Sequence, residues 1–274
     1  MTGEANVADA ASASRKRRSW LIVPASEPNA IAVAARCGTD VVVVDLVELI
    51  TDKDRVSARD GCREGVAAAG IAGASVFAQI DPVSFLPDLN ACTWPGLAGI
   101  VISRAESAAQ VEAISAALDD LEGTRGLPAG SVQIVAALET PQGNHAAHDI
   151  LRASQRVCAA TLGRADLVMD LRPEPSGEIH LMPYLMQRLI IIAGTVGVMP
   201  LGAWWREPDR GLMATPENTY EAAYRGRAIG FKGAMCLRPD QVEPLNRAFK
   251  VDAGLRQNGE SMTTVIPDSI RNPS

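Results

Sequence analysis

Short runs of apolar residues alternate along the chain with segments of helical periodicity. Eight apolar runs can be distinguished, over residues 20–23, 41–44, 76–80, 99–103, 132–139, 157–162, 196–201 and 234–237. Most are continuous rather than alternating with polar residues, which is typical of strands buried on both faces of a parallel sheet. The pattern therefore predicts eight strands.

Amphipathic segments between these runs predict helices over residues 30–36, 55–69, 107–122, 144–153, 181–193, 216–229 and 240–249. Only the link between the third and fourth runs lacks a clear helix, and a short one fits residues 82–95. Strict alternation of strands and helices predicts a single α/β domain, a (β/α)8 TIM barrel, which typically takes about 250 residues. A doubly wound open sheet is the alternative, but the chain has no GxGxxG or Walker motif.

The segments outside this alternation set the predicted domain limits. Residues 1–16 are polar and rich in Ala and Ser, and we expect a disordered arm there. The barrel is expected to span residues 17–250, and residues 251–274 form a polar tail with Gly, Asn and Pro.

Composition and charge narrow the functional classes. With 47% hydrophobic and 21% charged residues, the 274-residue chain has globular composition. A net charge of −6 disfavours general binding to nucleic acid or to an anionic membrane. No secretory segment is evident, and the five cysteines are odd in number without a CxxC pair, so we expect reduced thiols and a cytoplasmic location.

Acids and arginines follow the predicted strands, at the end where barrels place their active sites. Glu139 and Asp166 end consecutive strands, which lie about 4.8 Å apart in a sheet. Two such carboxylates can share Mg²⁺, which prefers oxygen ligands. The alternative is a pair of rim acids neutralised by arginines.

The segment from Thr140 and Pro141 to Gly143 opens the next predicted helix. Its free N–H groups can bind a substrate carboxylate or can simply be capped by the threonine.

Many short segments together carry a family resemblance. They include Arg18 to Pro24, Asp45-Leu46, Glu106-Ser107-Ala108, Leu138 to Gly143 (Leu-Glu-Thr-Pro-Gln-Gly), Ser154 to Val157, Gly163 to Leu171 and Pro239-Asp240-Gln241. By the order and spacing of these segments, the chain resembles the HpcH/HpaI aldolase and citrate lyase beta-subunit family over roughly residues 17–250. The resemblance is specific for the family and not for one reaction.

The resemblance implies a (β/α)8 barrel enzyme, a trimer or hexamer, that makes or breaks carbon–carbon bonds beside a carboxylate with Mg²⁺. It implies Glu139 and Asp166 as the metal ligands and a small oxo or hydroxy acid, or an acyl-CoA thioester, as the substrate. We expect Glu48 to position water or to act as an acid or base. Asp45 is expected to orient water or an arginine, and Arg104 to hold an anionic group.

The sequence also departs from the family pattern. The family segment Asp-Leu-Glu-Asp-Ala-Val reads Asp-Leu-Val-Glu-Leu-Ile from residue 45, so Val47 replaces an acid. Gln79 stands where the family has a carboxylate-binding arginine, and Arg104 stands where it has lysine. Lys-x-x-Ile-His-Pro becomes Ala234 to Pro239, in which Arg238 replaces the histidine.

These departures leave three hypotheses open. The first is a Mg²⁺-dependent lyase with a shifted substrate, in which Gln79 and Arg238, with Thr140 and Pro141, contact that substrate. The second is a catalytically decayed barrel that binds a metabolite or serves as a complex subunit. The third is a lyase or mutase of the phosphoenolpyruvate type, which the motif order fits less well.

Overall fold

The computed structural model describes residues 16–162, 183–203 and 215–250. Asp166, residues 1–15 of the predicted arm and the predicted tail over 251–274 lie outside these ranges.

Eight parallel strands form a closed barrel in chain order, and the last strand pairs with the first. This confirms the predicted (β/α)8 fold. The strands are β1 (Ser19–Pro24), β2 (Val41–Asp45), β3 (Ser75–Ile80), β4 (Leu97–Ile102), β5 (Gln133–Ala137), β6 (Val157–Thr161), β7 (Met199–Ala203) and β8 (Gly233–Cys236).

Helices connect the strands, and the short helix expected between the third and fourth strands is present. The helices are α1 (Pro28–Arg36), α2 (Arg55–Asp60), α3 (Cys62–Ala69), α4 (Phe85–Cys92), α5 (Ala108–Arg125), α6 (Pro141–His145), α7 (Ala147–Arg152), α8 (Pro183–Val196), α9 (Pro216–Ile229) and α10 (Val242–Ala248), with a 3-10 turn over Pro239–Gln241. In the described part of the chain, no helix combines the length and apolarity that crossing a membrane requires.

Several element boundaries differ from the predicted ones. The predicted helix over 55–69 is two helices that meet at Gly61, and the one over 144–153 begins at Pro141 and breaks at Ala146. The seventh strand was predicted over 196–201, but Val196 ends α8 and β7 begins at Met199. One apolar run crosses both elements, and Gly197, with φ of 75°, separates them by adopting a conformation that favours glycine.

The continuous apolar runs reflect two separate cores. Trp20 and Ile22 of β1 belong to a cluster inside the barrel, whereas Leu21 and Val23 belong to the cluster between the barrel and the helices. Successive side chains of a strand point to opposite faces, so both faces of every strand must be apolar.

The same alternation decides which side chains face the interior at the carboxyl ends of the strands. Val43 lies in the inner cluster and is followed two residues later by Asp45; Phe77 is followed in the same way by Gln79. Val101 likewise precedes Ser103, and Ala137 precedes Glu139. The period of two therefore places four polar side chains at one end of the barrel.

An arginine closes the opposite end of the barrel. The Arg17 guanidinium carbon lies 5.2 Å from the Phe77 ring centroid and 6.0 Å from that of Trp20. Arg17 Nη2 also donates a hydrogen bond of 2.6 Å to Gln133 Oε1. The amino-terminal end of the barrel is thus filled by side chains and has a structural role.

Candidate active site

A cleft opens at the carboxyl-terminal end of the barrel. The residues that line it are Ile22, Asp45, Glu48, Leu49, Gln79, Val101, Ala137, Glu139, Met235 and Leu237. Four of the polar positions singled out in the sequence therefore lie together, each just at or after the end of a strand.

Glu139 is almost fully buried, with 3% of the residue exposed. Its Oε2 atom accepts a hydrogen bond of 2.8 Å from the backbone N–H of Arg104. Arg104 has φ of 45°, and no other non-glycine residue in the described ranges has a positive φ. Such a conformation costs energy and clusters at functional sites. The turn at Arg104 therefore fixes the carboxylate from the neighbouring strand end.

Ser103 joins two acids and is a residue that the sequence analysis missed. Its Oγ atom lies 2.8 Å from Glu48 Oε1 and 3.2 Å from Glu139 Oε2. Gln79 Nε2 donates to the same oxygen over 3.5 Å. A hydroxyl carries one proton, so it can donate to only one of the two carboxylates at a time. The signal in the sequence was the alternation along β4, which places Ser103 two residues after the inward-facing Val101.

Asp45 is fully buried and organises the loop that carries Glu48. Its carboxylate accepts backbone hydrogen bonds from Val47 at 2.9 Å and from Glu48 at 3.1 Å, and a further one from Leu49. Burial raises the pKa of Asp45 above its usual range, and the backbone hydrogen bonds offset only part of this. Asp45 therefore shapes the β2–α2 loop and sets the position of Glu48.

The start of α6 packs beside the cleft. Thr140 Oγ1 accepts a hydrogen bond of 3.0 Å from the Gly143 N–H, so the threonine caps the helix. A Cβ atom on Gly143 would lie 2.1 Å from the Ala105 carbonyl oxygen, so only glycine allows this close approach. Thr140 is half-buried and Pro141 is exposed, and neither lines the cleft. Their contact with a substrate stays a prediction.

The two arginines expected near the substrate lie outside the cleft lining. The Arg104 side chain is exposed, whereas its backbone faces Glu139. The Arg238 side chain is 48% exposed and forms an ion pair with Asp240, whose Oδ1 lies 3.0 Å from Arg238 Nε. A substrate contact by either guanidinium stays a prediction.

The donor chemistry of the cleft suits a hard cation. Glu48, Glu139 and Ser103 present oxygen atoms that converge, and the described residues of the lining include no cysteine and no histidine. Mg²⁺ prefers such oxygen donors. The residues that the structure describes contain no group of three or more His, Cys, Asp or Glu able to hold a metal, and Asp166 lies outside them. Glu139 therefore fits a magnesium ligand, whereas its predicted partner lies beyond the described geometry.

A (β/α)8 barrel with carboxylates gathered at its carboxyl-terminal end has the architecture of a barrel enzyme that binds its ligand there. Comparison with known proteins defines the group more closely. The chain belongs to the HpcH/HpaI aldolase/citrate lyase family, whose model matches residues 18–239. This confirms the resemblance found in the sequence.

Individual relatives agree with this assignment. The citrate lyase subunit beta of Leuconostoc mesenteroides subsp. cremoris is 21% identical over 258 residues, 93% of this chain and 84% of that protein. A citrate lyase subunit beta-like protein of Deinococcus radiodurans is 29% identical over 242 residues, 85% and 79% of the two chains.

A solved structure shares the fold. The citrate lyase beta subunit of M. tuberculosis, complexed with oxaloacetate and magnesium, matches with a TM-score of 0.67 at 20% identity. The match covers 88% of this chain and 99% of that one.

Proposed function

We propose that this protein is a Mg²⁺-dependent carbon–carbon lyase, or catalyses the reverse condensation, on a small oxo or hydroxy acid or its thioester. The observation that carries the proposal is the convergence of Glu48 and Glu139 on Ser103 at the carboxyl-terminal end of the barrel. Family membership supports the reaction class. The magnesium and oxaloacetate bound by the M. tuberculosis relative support the choice of ion and of substrate class.

The proposal assigns a role to each acid. Glu139 would hold the ion together with Asp166, which follows β6 in the sequence. Bound there, Mg²⁺ would supply electrostatic stabilisation of the negative charge that develops on a substrate oxygen as the bond breaks. Glu48 holds or transfers a proton at the cleft, and Asp45 positions it through the loop backbone. The Arg104 N–H keeps Glu139 in place, and the exposed Arg104 guanidinium binds an anionic group at the rim.

The departures from the family pattern affect the cleft unequally. Ala234 packs in the outer core between barrel and helices, away from the cleft. Val47 is nearly buried, and its backbone N–H donates to Asp45. Of the positions where the family has a different polar residue, Gln79 and Glu48 line the cleft. This distribution favours a retained reaction with an altered substrate.

The second candidate is a barrel that binds a metabolite or serves as a subunit of a complex without catalysis. The observation that favours it is Gln79, because an amide replaces the charged group that the family uses to hold a carboxylate. Under this hypothesis the cleft would still bind an acid but would not cleave it.

Turnover assays separate the two candidates. Purified protein with Mg²⁺ is incubated with a panel of 3-hydroxy acids, 2-oxo acids and acyl-CoA thioesters, and release of pyruvate, glyoxylate, oxaloacetate or acetyl-CoA is measured. The lyase proposal predicts catalytic release from at least one compound, abolished by EDTA and reduced about 100-fold or more by Glu139→Gln. Glu112→Gln is the matched control, because Glu112 is an exposed acid on α5. Binding of an acid without turnover of any compound would support the second candidate.

A further inference from the structure

The turn that follows β4 is bonded to the strands on both sides of it. The Ser103 N–H donates a hydrogen bond of 3.2 Å to the Ile80 carbonyl oxygen at the end of β3. The Ala105 N–H donates one of 2.9 Å to the Ala137 carbonyl oxygen at the end of β5. Arg104 lies between these two anchors, so the direction of its own N–H group is fixed by the backbone.

The N–H group between the two anchors points at an acid of the cleft. It donates to Glu139 Oε2 over 2.8 Å, and Arg104 adopts its φ of 45° in doing so. Such a conformation is unfavourable for a residue with a Cβ atom and persists only where the surrounding structure holds it. Contacts from outside the turn are therefore needed to keep this N–H group against the carboxylate.

Gly143 of α6 supplies one of these contacts. It is buried, and a Cβ atom there would overlap the Ala105 carbonyl oxygen and lie 3.3 Å from the carbonyl carbon. Both atoms belong to the backbone, so they cannot rotate away as a side chain could. An alanine at this position would therefore force α6 and the turn apart.

Two further groups fix α6 in place. Thr140 Oγ1 accepts a hydrogen bond of 3.0 Å from the Gly143 N–H at the start of the helix. At its end, Arg188 of α8 donates to the carbonyl oxygen of Asn144 and, over 3.2 Å, to that of His145. An added Cβ atom would therefore displace the turn rather than the helix, and with the turn its N–H donor.

We propose that Gly143 is a positioning residue for Glu139. Because it has no Cβ atom, the turn after β4 comes close enough for the Arg104 N–H to hold the carboxylate. The inference rests on the proposed function for the role of Glu139 as a Mg²⁺ ligand. Altering a group that orients a metal ligand typically weakens metal binding about 10- to 100-fold. Gly143 acts in this way through two backbone groups, the Ala105 carbonyl and the Arg104 N–H.

Amide hydrogen exchange tests the positioning without any metal. We expect the Arg104 amide of Gly143→Ala to exchange at least about tenfold faster than that of the wild type, because its hydrogen bond to Glu139 is disrupted. NMR of protein with isotopically labelled arginine measures the rate, and the Arg104 resonance is the one missing from Arg104→Lys. Gly123→Ala is the control, because Gly123 is exposed on α5 and a Cβ atom there would meet no described residue of another element within 4 Å.

Titration calorimetry with Mg²⁺ tests the consequence for the ion. Gly143→Ala should bind Mg²⁺ about 10- to 100-fold more weakly than the wild type, and Gly123→Ala should bind it as the wild type does. Thr140→Val removes the cap of α6 and leaves the contact with Ala105 free of added atoms, so we expect a smaller loss, about fivefold. Thr124→Val, at an exposed threonine on α5, is its control.

The outcomes separate the inference from the proposed function. Wild-type exchange at Arg104, or wild-type Mg²⁺ affinity, in folded Gly143→Ala would overturn the inference and leave the proposed function standing. If Gly143→Ala does not fold, Thr140→Val decides in the same two measurements. Absence of saturable Mg²⁺ binding by the wild type would contradict the proposed function, and the exchange rate at Arg104 would still decide whether Gly143 positions the carboxylate.

Discussion

The buried acids at the amino-terminal end of the barrel and the acids that line the cleft are held by different partners. At the amino-terminal end, acids are matched with guanidinium groups: Glu122 with Arg156, and Asp40 with Arg18. At the carboxyl-terminal end, Asp45 and Glu139 accept hydrogen bonds from backbone N–H groups. Charge matched by rigid ion pairs stabilises the fold, whereas acids held by backbone dipoles stay directed at a cleft. We attribute stability to the first arrangement and function to the second.

Glu122 illustrates how a buried acid is paired at the amino-terminal end of the barrel. Its side chain is 1% exposed and accepts hydrogen bonds from Arg156 Nη1 at 2.8 Å and Nη2 at 2.6 Å. The backbone N–H groups of Gly130 and Val132 donate at 2.7 Å and 2.8 Å. This network ties the end of α5 to the start of β5 and β6.

Breaking the Arg156–Glu122 pair is the largest predicted effect. Arg156→Met leaves a buried carboxylate without its cation, so we expect the free energy of unfolding to fall by about 3–5 kcal/mol. Urea denaturation measures the change, and kcat/KM of the folded protein should stay unchanged. Arg152→Met, at an exposed arginine on α7, is the control and should alter stability little. A loss below about 1 kcal/mol in Arg156→Met would contradict the stabilising role assigned to the Arg156–Glu122 ion pair.

Glu139→Gln at the functional end should show the reverse profile. We expect kcat/KM to fall about 100- to 1,000-fold because the variant loses a charged ligand of the site. The free energy of unfolding should be unchanged or higher, since one of several clustered acids is neutralised. Steady-state kinetics and urea denaturation give the two numbers. A Glu139→Gln protein with wild-type kinetics would refute the assignment of this acid.

Gln79, in the lining of the cleft, is expected to limit which substrates are cleaved. We predict weak or absent wild-type activity on malyl-CoA, citramalyl-CoA and citryl thioesters, because the family's carboxylate-binding arginine is missing. Gln79→Arg, alone or with Val47→Glu, should raise kcat/KM on at least one of them by about tenfold or more. Gln155→Arg serves as the control, because it adds the same charge at an exposed position just before β6, at the other end of the barrel. A wild-type kcat/KM within tenfold of about 10⁵ M⁻¹s⁻¹ on any of the three thioesters would contradict this prediction.

The smallest effect concerns the pH dependence of stability. Burial alone would raise the pKa of Glu122, but hydrogen bonds from Arg156, Val132 and Gly130 lower it below its usual range. A depressed pKa in the folded state contributes stability above the unfolded pKa of about 4.3, and this is lost as pH falls through the folded value. Urea denaturation between neutral pH and about pH 3 should therefore show a shallower acid loss in Glu122→Gln than in the wild type. Identical slopes would refute this role of Glu122.

The sequence predicted the barrel because every strand is apolar on both faces. It failed at Gly61 and Val196, where an apolar or helical pattern continues across a break that backbone geometry creates. Apolar residues continue without interruption from the end of α8 into β7. The pattern of the sequence therefore does not mark the boundary between the two elements.

The acids of the cleft were predictable from their place after apolar runs, but the groups that hold them were not. Ser103 reads as a neutral strand-end residue until the barrel closes and brings it beside Glu48, 55 positions away. Arg104 was singled out for its charge, whereas the structure uses its backbone N–H in a positive-φ turn. A contact between residues that are distant in sequence leaves no pattern in a single sequence. A hydrogen bond donated by a backbone N–H leaves none either, because it does not depend on the side chain.

The acids at the carboxyl-terminal end of the barrel are proposed to bind Mg²⁺, and titration calorimetry with Mg²⁺ tests this directly. The wild type should bind the ion saturably, and Glu139→Ala and Asp166→Ala should each weaken binding about 10- to 100-fold or more. Glu112→Ala, at the exposed acid of α5, should bind as the wild type does. Wild-type affinity in both Glu139→Ala and Asp166→Ala would contradict the account.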